Sequence, residues 1–326
     1  MLSSFSQLQW WKTFFTPNRY SYDQIPDQTG KVAIVTGANT GLGYATMVAL
    51  AGHGAHVFLA CRSQKRALEA IERAKKEIKE SYPYTTSPKL EFLELDLNDM
   101  NKTRKAADEF LSRGLPLHLL VNNAGLICPF QLSADGIEKQ FAVTHLGHFV
   151  FTTALLDKLK ASQPSRIVVL NSMSHENAAS GGIDFDTLND ESKLDNLGRQ
   201  SRAKLAIILF AKALARRVAS ERVYVNIVYP GVVTPSEPIG DEGVFRGPIK
   251  WTLNLMYKIN GCSPKEGALT QLYVATSPEI VNKDIRGRYF IPGSNEIQPS
   301  KTAKDEGLQE RLWEYSECMV RKHIKA

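Results

Sequence analysis

Apolar residues fall along this chain in short unbroken runs separated by helical stretches. Runs at residues 31–36, 56–60, 90–95, 117–121, 167–170 and 223–228 are rich in Val, Ile, Leu and Ala, and 289–291 adds a last one. Between them, as over residues 65–80, apolar positions recur at helical spacing: Leu68, Ile71, Ala74 and Ile78 line one face. A continuous run, unlike an alternating one, implies a strand covered on both faces. The chain therefore predicts an α/β fold: one Rossmann-like, doubly wound parallel sheet with helices on both sides. Residues 1–29 precede this pattern as an N-terminal arm, and residues 30–326 form one domain, with no repeat or linker dividing it. The alternation breaks only at about 235–264, after the sixth strand. There Pro, Gly and charge mix with Trp251, Leu253, Leu255, Met256 and Ile259. A long insertion there lies beside the carboxyl ends of the strands, and we expect it to serve as an apolar substrate lid.

Composition narrows the functional classes. At 43% hydrophobic and 23% charged the chain is expected to be globular. A formal charge of +6 raises the question of an acidic partner, but basic residues are interleaved with acids, as in Glu72 and Lys76 one helical turn apart. We read a solvated surface and expect no nucleic-acid partner. The four cysteines (Cys61, Cys128, Cys262 and Cys318) show neither paired nor metal-ligand spacing. A reducing, cytoplasmic setting without disulfides or metal follows as the expectation. His145 and His148 read as helix-packing residues rather than metal ligands. No transmembrane span is expected. The arm's Trp10, Trp11, Phe14 and Phe15 around Lys12 are expected to pack across the domain, with peripheral membrane contact as the alternative.

The first strand runs into Thr36-Gly37-Ala38-Asn39-Thr40-Gly41-Leu42-Gly43, which opens a helix. Gly37 permits a tight turn, while Gly41 and Gly43 let backbone approach a pyrophosphate at the positive end of the helix. This spacing resembles the short-chain dehydrogenase/reductase family, and further landmarks follow in order. Asp96-Leu97 stands where the family contacts adenine, and Asn122-Asn123-Ala124-Gly125 matches its turn after the fourth strand. Pro230-Gly231-Val232-Val233-Thr234 matches the loop that holds the nicotinamide carboxamide. Ala60-Cys61-Arg62-Ser63, Leu146-Gly147-His148-Phe149 and Leu312-Trp313-Glu314 are most similar to retinol-dehydrogenase-like and WW-domain-oxidoreductase-like members. An acid at the end of the second strand would favour NAD; here Cys61 and Arg62 stand there, with Lys65 and Arg66 nearby, and NADP is expected.

The family works with a tetrad of Asn, Ser, Tyr and Lys. The resemblance puts the serine at Ser172 and the lysine at Lys204, but Gln200 replaces the tyrosine and Thr144 the asparagine. In the family the phenol passes a proton to a carbonyl oxygen; a glutamine amide has none to give near neutral pH. Loss of a general acid costs about 10²–10⁴-fold in rate. His175 offers itself as a substitute, against the reading of an ordinary loop histidine. Three functions stay open: a reductase acting on a carbonyl, enone or iminium that Ser172 and Gln200 stabilise by hydrogen bonding; a non-redox cyclase or isomerase; and a catalytically silent cofactor-binding interaction protein. Lipophilic lid residues imply a bulky apolar small-molecule substrate. By analogy with relatives, the helices at 141–151 and 205–214 would form a homodimer.

Overall fold

The computed structural model describes residues 18–234 and 261–324. Eight strands form one sheet: β1 (Val32–Thr36), β2 (His56–Cys61), β3 (Leu90–Glu94), β4 (Leu119–Asn122), β5 (Ser165–Leu170), β6 (Val223–Val228), β7 (Tyr289–Ile291) and β8 (Asn295–Ile297). Their order is β3-β2-β1-β4-β5-β6-β7-β8, parallel throughout except for β8, which pairs antiparallel with β7. The expected parallel sheet thus carries one antiparallel edge strand. It escaped the sequence reading because Asn295 and Glu296 give it no apolar run.

Alternate residues of each strand feed two cores. Ile34 and Phe58 belong to one, with Phe110, Phe151 and Leu205. Val35 and Leu59 belong to the other, with Met47, Leu50 and Leu272. The first core is covered by helices α3 (Met100–Ser112), α4 (Gly147–Ala154) and α5 (Asn196–Arg217). The second lies under α1 (Gly41–Gly52), α2 (Gln64–Ser81) and α6 (Pro264–Thr276). Helix starts are set by side-chain caps: Asp99 accepts from Lys102 N (3.0 Å) for α3 and Asp195 from Gly198 N (2.7 Å) for α5. The strand order reverses between β1 and β4, so their carboxyl ends open a crevice there.

A last helix, α7 (Glu306–His323), lies across α5 and α3. Its Trp313 stacks on Phe210 (centroids 5.9 Å apart, planes at 24°) and meets Phe149 edge-on at 5.0 Å. The Arg217 guanidinium lies over the indole at 3.9 Å, and Glu310 pairs with Arg216 at 2.7 Å. The apolar residues at 141–151 and 205–214 are buried within the chain, partly under its own C-terminal helix.

Of the arm, residues 18–29 are described. Tyr20 is buried and bonds to the Thr276 hydroxyl at 2.8 Å, while Tyr22 donates to the Lys265 carbonyl at 2.8 Å. Trp10, Trp11, Phe14 and Phe15 lie outside the described residues, as does the expected lid apart from its last residues, 261–264. The chain on either side of that segment is joined: Cys262 N donates to Val232 O (2.8 Å) and Thr234 N to Cys262 O (2.9 Å). No helix among the described residues is long and apolar enough to cross a membrane.

Candidate active site

The crevice is built around Thr36, the last residue of β1. Its hydroxyl accepts from the Asn123 and Ala124 amides, both at 2.9 Å. Asn123 Nδ2 donates back to the Thr36 carbonyl at 2.8 Å. The same hydroxyl lies 3.1 Å from His148 Nε2, while His148 Nδ1 lies 3.0 Å from the Thr144 carbonyl. A carbonyl only accepts, so Nδ1 carries the ring proton and Thr36 donates to Nε2. Burial pushes the His148 pKa down to about 4, so the ring is neutral. His148 therefore joins β1, the Asn122–Gly125 turn and the α4 region by packing and hydrogen bonds. His145 is likewise buried, with Nε2 at 2.7 Å from Ser316 of α7 and a pKa lowered to about 3.

Two glycines explain how close the loop comes to α1. Gly37 has φ +66°, a left-handed conformation that side chains rarely adopt. A Cβ on Gly43 would sit 2.5 Å from the Gly37 carbonyl and 2.6 Å from Asn123 Nδ2. The first turn of α1 is thus pressed against the loop, with its free amides facing a cleft of about 410 Å³. Gly37, Asn39, Thr40, Leu42 and Gly43 line that cleft, with Arg62, Ser63 and Arg66 beyond β2, Asp96 and Leu97 beyond β3, and Asn123, Ala124 and Gly125 beyond β4. Arg73 fixes the loop by donating to the Asn39 carbonyl at 3.1 Å. Arg62 and Arg66 are exposed at the rim, and Cys61 supplies no charge to oppose a phosphate. Asn98 Oδ1 and Asn123 Oδ1 are buried acceptors without a partner on the same wall. Oriented amides, orphaned acceptors and rim guanidiniums together suit a dinucleotide.

A second cavity of about 660 Å³ continues the first, sharing Leu42, Asn123, Gly125, Leu126 and Leu170 with it. Ser172, Gln200 and Lys204 all line it, as do Pro230, Gly231 and Val233. Asn171, which the sequence reading missed, organises this wall. Its Nδ2 donates to the Lys204 carbonyl (2.8 Å) and its Oδ1 accepts from Ser172 N (2.6 Å), joining the end of β5 to α5. Lys204 is buried, and its Nζ donates to the Leu170 carbonyl at 3.3 Å. Burial without a counter-charge lowers its pKa to about 8. The Gln200 amide makes no hydrogen bond to any described residue and is open to the cavity.

Four expected site residues are not among those lining these walls: Gly41, although its neighbours Thr40 and Leu42 line the cleft, and His175, Thr144 and Thr234. His175 is turned into the core, 1% exposed. Its Nδ1 donates to the Ser172 carbonyl (2.8 Å), its Nε2 accepts from Ser300 N (3.3 Å), and its ring lies 5.3 Å from that of Tyr289. With its pKa lowered to about 4 by burial and its one proton already donated, it cannot replace the missing acid. Thr144 is buried in the π turn Ala142–Leu146 and lines neither cavity. Thr234 is exposed and also lines neither. In place of His175, the next residue of that turn, Glu176, faces the pocket; burial raises its pKa. No spacing in the sequence distinguishes the two.

Comparisons with known proteins agree with this geometry. Residues 31–184 match the family model described as short chain dehydrogenase. Human retinol dehydrogenase 14 is 39% identical over 298 residues, covering 89% of this chain and 86% of that one. The chain is a short-chain dehydrogenase/reductase. Within that family of oxidoreductases it falls in the retinol-dehydrogenase-like branch. It is also 35% identical over 315 residues to the short-chain dehydrogenase/reductase drtF of Aspergillus calidoustus, covering 91% of this chain and 96% of that one. Among solved structures, an uncharacterised protein from Mycobacterium paratuberculosis superposes with a TM-score of 0.68 at 27% identity, covering 93% of this chain and 97% of its own. L-sorbose reductase from Gluconobacter frateurii, solved with NADPH and L-sorbose, shares the fold at a TM-score of 0.62 and 19% identity, covering 82% and 96%.

Proposed function

We propose that this short-chain dehydrogenase/reductase uses NADP(H) to reduce a bulky apolar small molecule at a carbonyl, enone or iminium group. The observation that carries the reading is the continuity of the two cavities. The wall shared by Gly125 and Leu170 joins the cleft at the α1 terminus, which would hold a nucleotide, to the cavity lined by Ser172, Gln200 and Lys204. Bound nicotinamide supplies the hydride. The chain's own residues bind and orient. The α1 amides and the Gly37–Gly43 loop hold the pyrophosphate, Asp96 and Leu97 the adenine side, and Arg62 with Arg66 a 2′-phosphate. Lys204 would hold the ribose, while Pro230, Gly231 and Val233 would border the nicotinamide. Ser172 Oγ and the Gln200 amide donate hydrogen bonds to an acceptor oxygen where one develops charge. Neither releases a proton, so ketones lacking other help are poor substrates. Apolar Leu126, Ile127, Met173, Leu197 and Val232 on the pocket wall favour a lipophilic substrate, as do relatives named for retinol.

Titration with NADPH and NADH, followed by intrinsic fluorescence and thermal shift, tests the cofactor half of this reading. NADPH should bind the tighter of the two and raise the melting temperature more. Equal binding would overturn the assignment to NADP, and no binding of either would overturn the whole reading.

A further inference from the structure

Apart from the Tyr229 phenol, the described wall of the substrate pocket holds two ionisable side chains, Lys204 and Glu176. Lys204 Nζ is directed to the nucleotide side, toward the Leu170 carbonyl and within 3.5 Å of where a Cβ on Gly125 would sit. Glu176 is on the short turn Met173–Asn177 that follows Ser172. It is half-buried, and its carboxyl forms no hydrogen bond or ion pair with any described residue. The described groups packed around its turn offer no charge. On its own turn His175 is buried and neutral; from β7 comes Tyr289, whose hydroxyl is buried and unpartnered; from the end of β6 comes Tyr229. Met173, Leu197 and Val232 make up apolar wall nearby. A carboxyl taken from water into such a place costs free energy unless something pairs with it. An unpaired ionisable group in a cleft points to a ligand that completes it.

We propose that the substrate is a cation, an iminium ion, and that Glu176 is the counter-charge that selects it. This rests on the hydride-transfer reading above and narrows it. Hydride from the reduced nicotinamide adds to the carbon of C=N⁺, and the π electrons move onto nitrogen, cancelling its charge. A C–H bond forms, the C=N π bond is lost, the product is a neutral amine, and NADPH becomes NADP⁺. No proton enters at any point. A ketone instead becomes an alkoxide and needs one. Glutamine at the tyrosine position is therefore a defect for ketones and no defect for an iminium. The same substrate accounts for the unpaired Glu176, so two independent peculiarities of the pocket have one explanation. Because the cationic charge fades as hydride arrives, Glu176 stabilises the bound substrate more than the transition state. Its removal should raise KM while leaving kcat unchanged or higher.

The test uses full-length protein, NADPH, and two acceptors of like shape: N-methyl-dihydroisoquinolinium, which is permanently charged, and neutral tetralone. NADPH binding is measured first by fluorescence; its absence overturns the hydride-transfer reading rather than the role of Glu176. With NADPH bound, the cation should be reduced and tetralone not. Glu176→Gln should raise KM for the cation roughly 10- to 100-fold without lowering kcat. Its NADPH affinity should be unchanged, and its KM for any neutral acceptor should not rise. Equilibrium binding of the cation to the NADP⁺-loaded protein gives a readout independent of turnover. Failure of the cation to bind there, equal reduction of tetralone, or an unchanged KM in Glu176→Gln would each overturn the proposal.

Discussion

Lys204 keeps an ammonium where burial disfavours charge. Its Nζ is buried with one carbonyl partner, and its pKa falls from the ordinary 10.5 to about 8. That drop corresponds to roughly 3 kcal/mol of stability surrendered at neutral pH. Because the folded pKa lies below the unfolded one, that loss is complete below pH 8. It disappears as pH rises from there to the ordinary value, where the lysine is neutral in both states. Lys204→Met, similar in length and without charge, should therefore stabilise the cofactor-free protein by roughly 2–3 kcal/mol at pH 7. In a chain of this size that is a rise in melting temperature of about 5 °C. The gain should shrink steadily above pH 8. The same variant should lose affinity for nucleotide if, as proposed, the ammonium that is costly to bury holds the ribose. Scanning fluorimetry of both proteins from pH 7 to 10, with and without NADPH, separates the two effects. An unchanged or lower melting temperature at pH 7, or a gain indifferent to pH, would refute the argument.

Other perturbations probe the remaining parts of the site. Gln200→Tyr restores a phenol one turn from Lys204 and should raise reduction of simple ketones by about 10²–10⁴-fold in kcat/KM; no gain would show that the pocket opposes ketones for a further reason. Arg62→Asp should weaken NADPH roughly 10- to 100-fold while changing NADH only slightly. Equal loss for both would remove Arg62 from the 2′-phosphate. Gly43→Ala drives a methyl into the Gly37 carbonyl at 2.5 Å, and should lower stability by roughly 1–3 kcal/mol and abolish tight nucleotide binding, read by urea unfolding and by titration.

Most of the fold was legible because the strands are covered on both sides. Ile34 and Val35 go to different cores yet both must be apolar, so β1 shows as a run rather than an alternation. β8 was not legible: it is an edge strand of three residues, held by pairing with β7. In the site, Ser172, Gln200 and Lys204 were placed by the family resemblance, and all three line one cavity. What spacing could not show is which way a turn of five residues presents its side chains. His175 goes inward to the Ser172 carbonyl and Ser300, and Glu176 goes to the pocket, an outcome set by contacts with β7 and the chain beyond β8. The cover that α7 lays over Phe149 and Phe210 was equally hidden, since a helix does not announce where it will pack.

The proposed hydride transfer takes place in a pocket with Gln200 where the family resemblance expects tyrosine. Mass spectrometry tests it most directly: the protein is incubated with NADPH deuterated at the transferring position and with the iminium and enone acceptors. The reduced product should be one mass unit heavier than the product formed from ordinary NADPH. Conversion without deuterium, or no reduction of either acceptor by protein that binds NADPH, would contradict the proposed transfer.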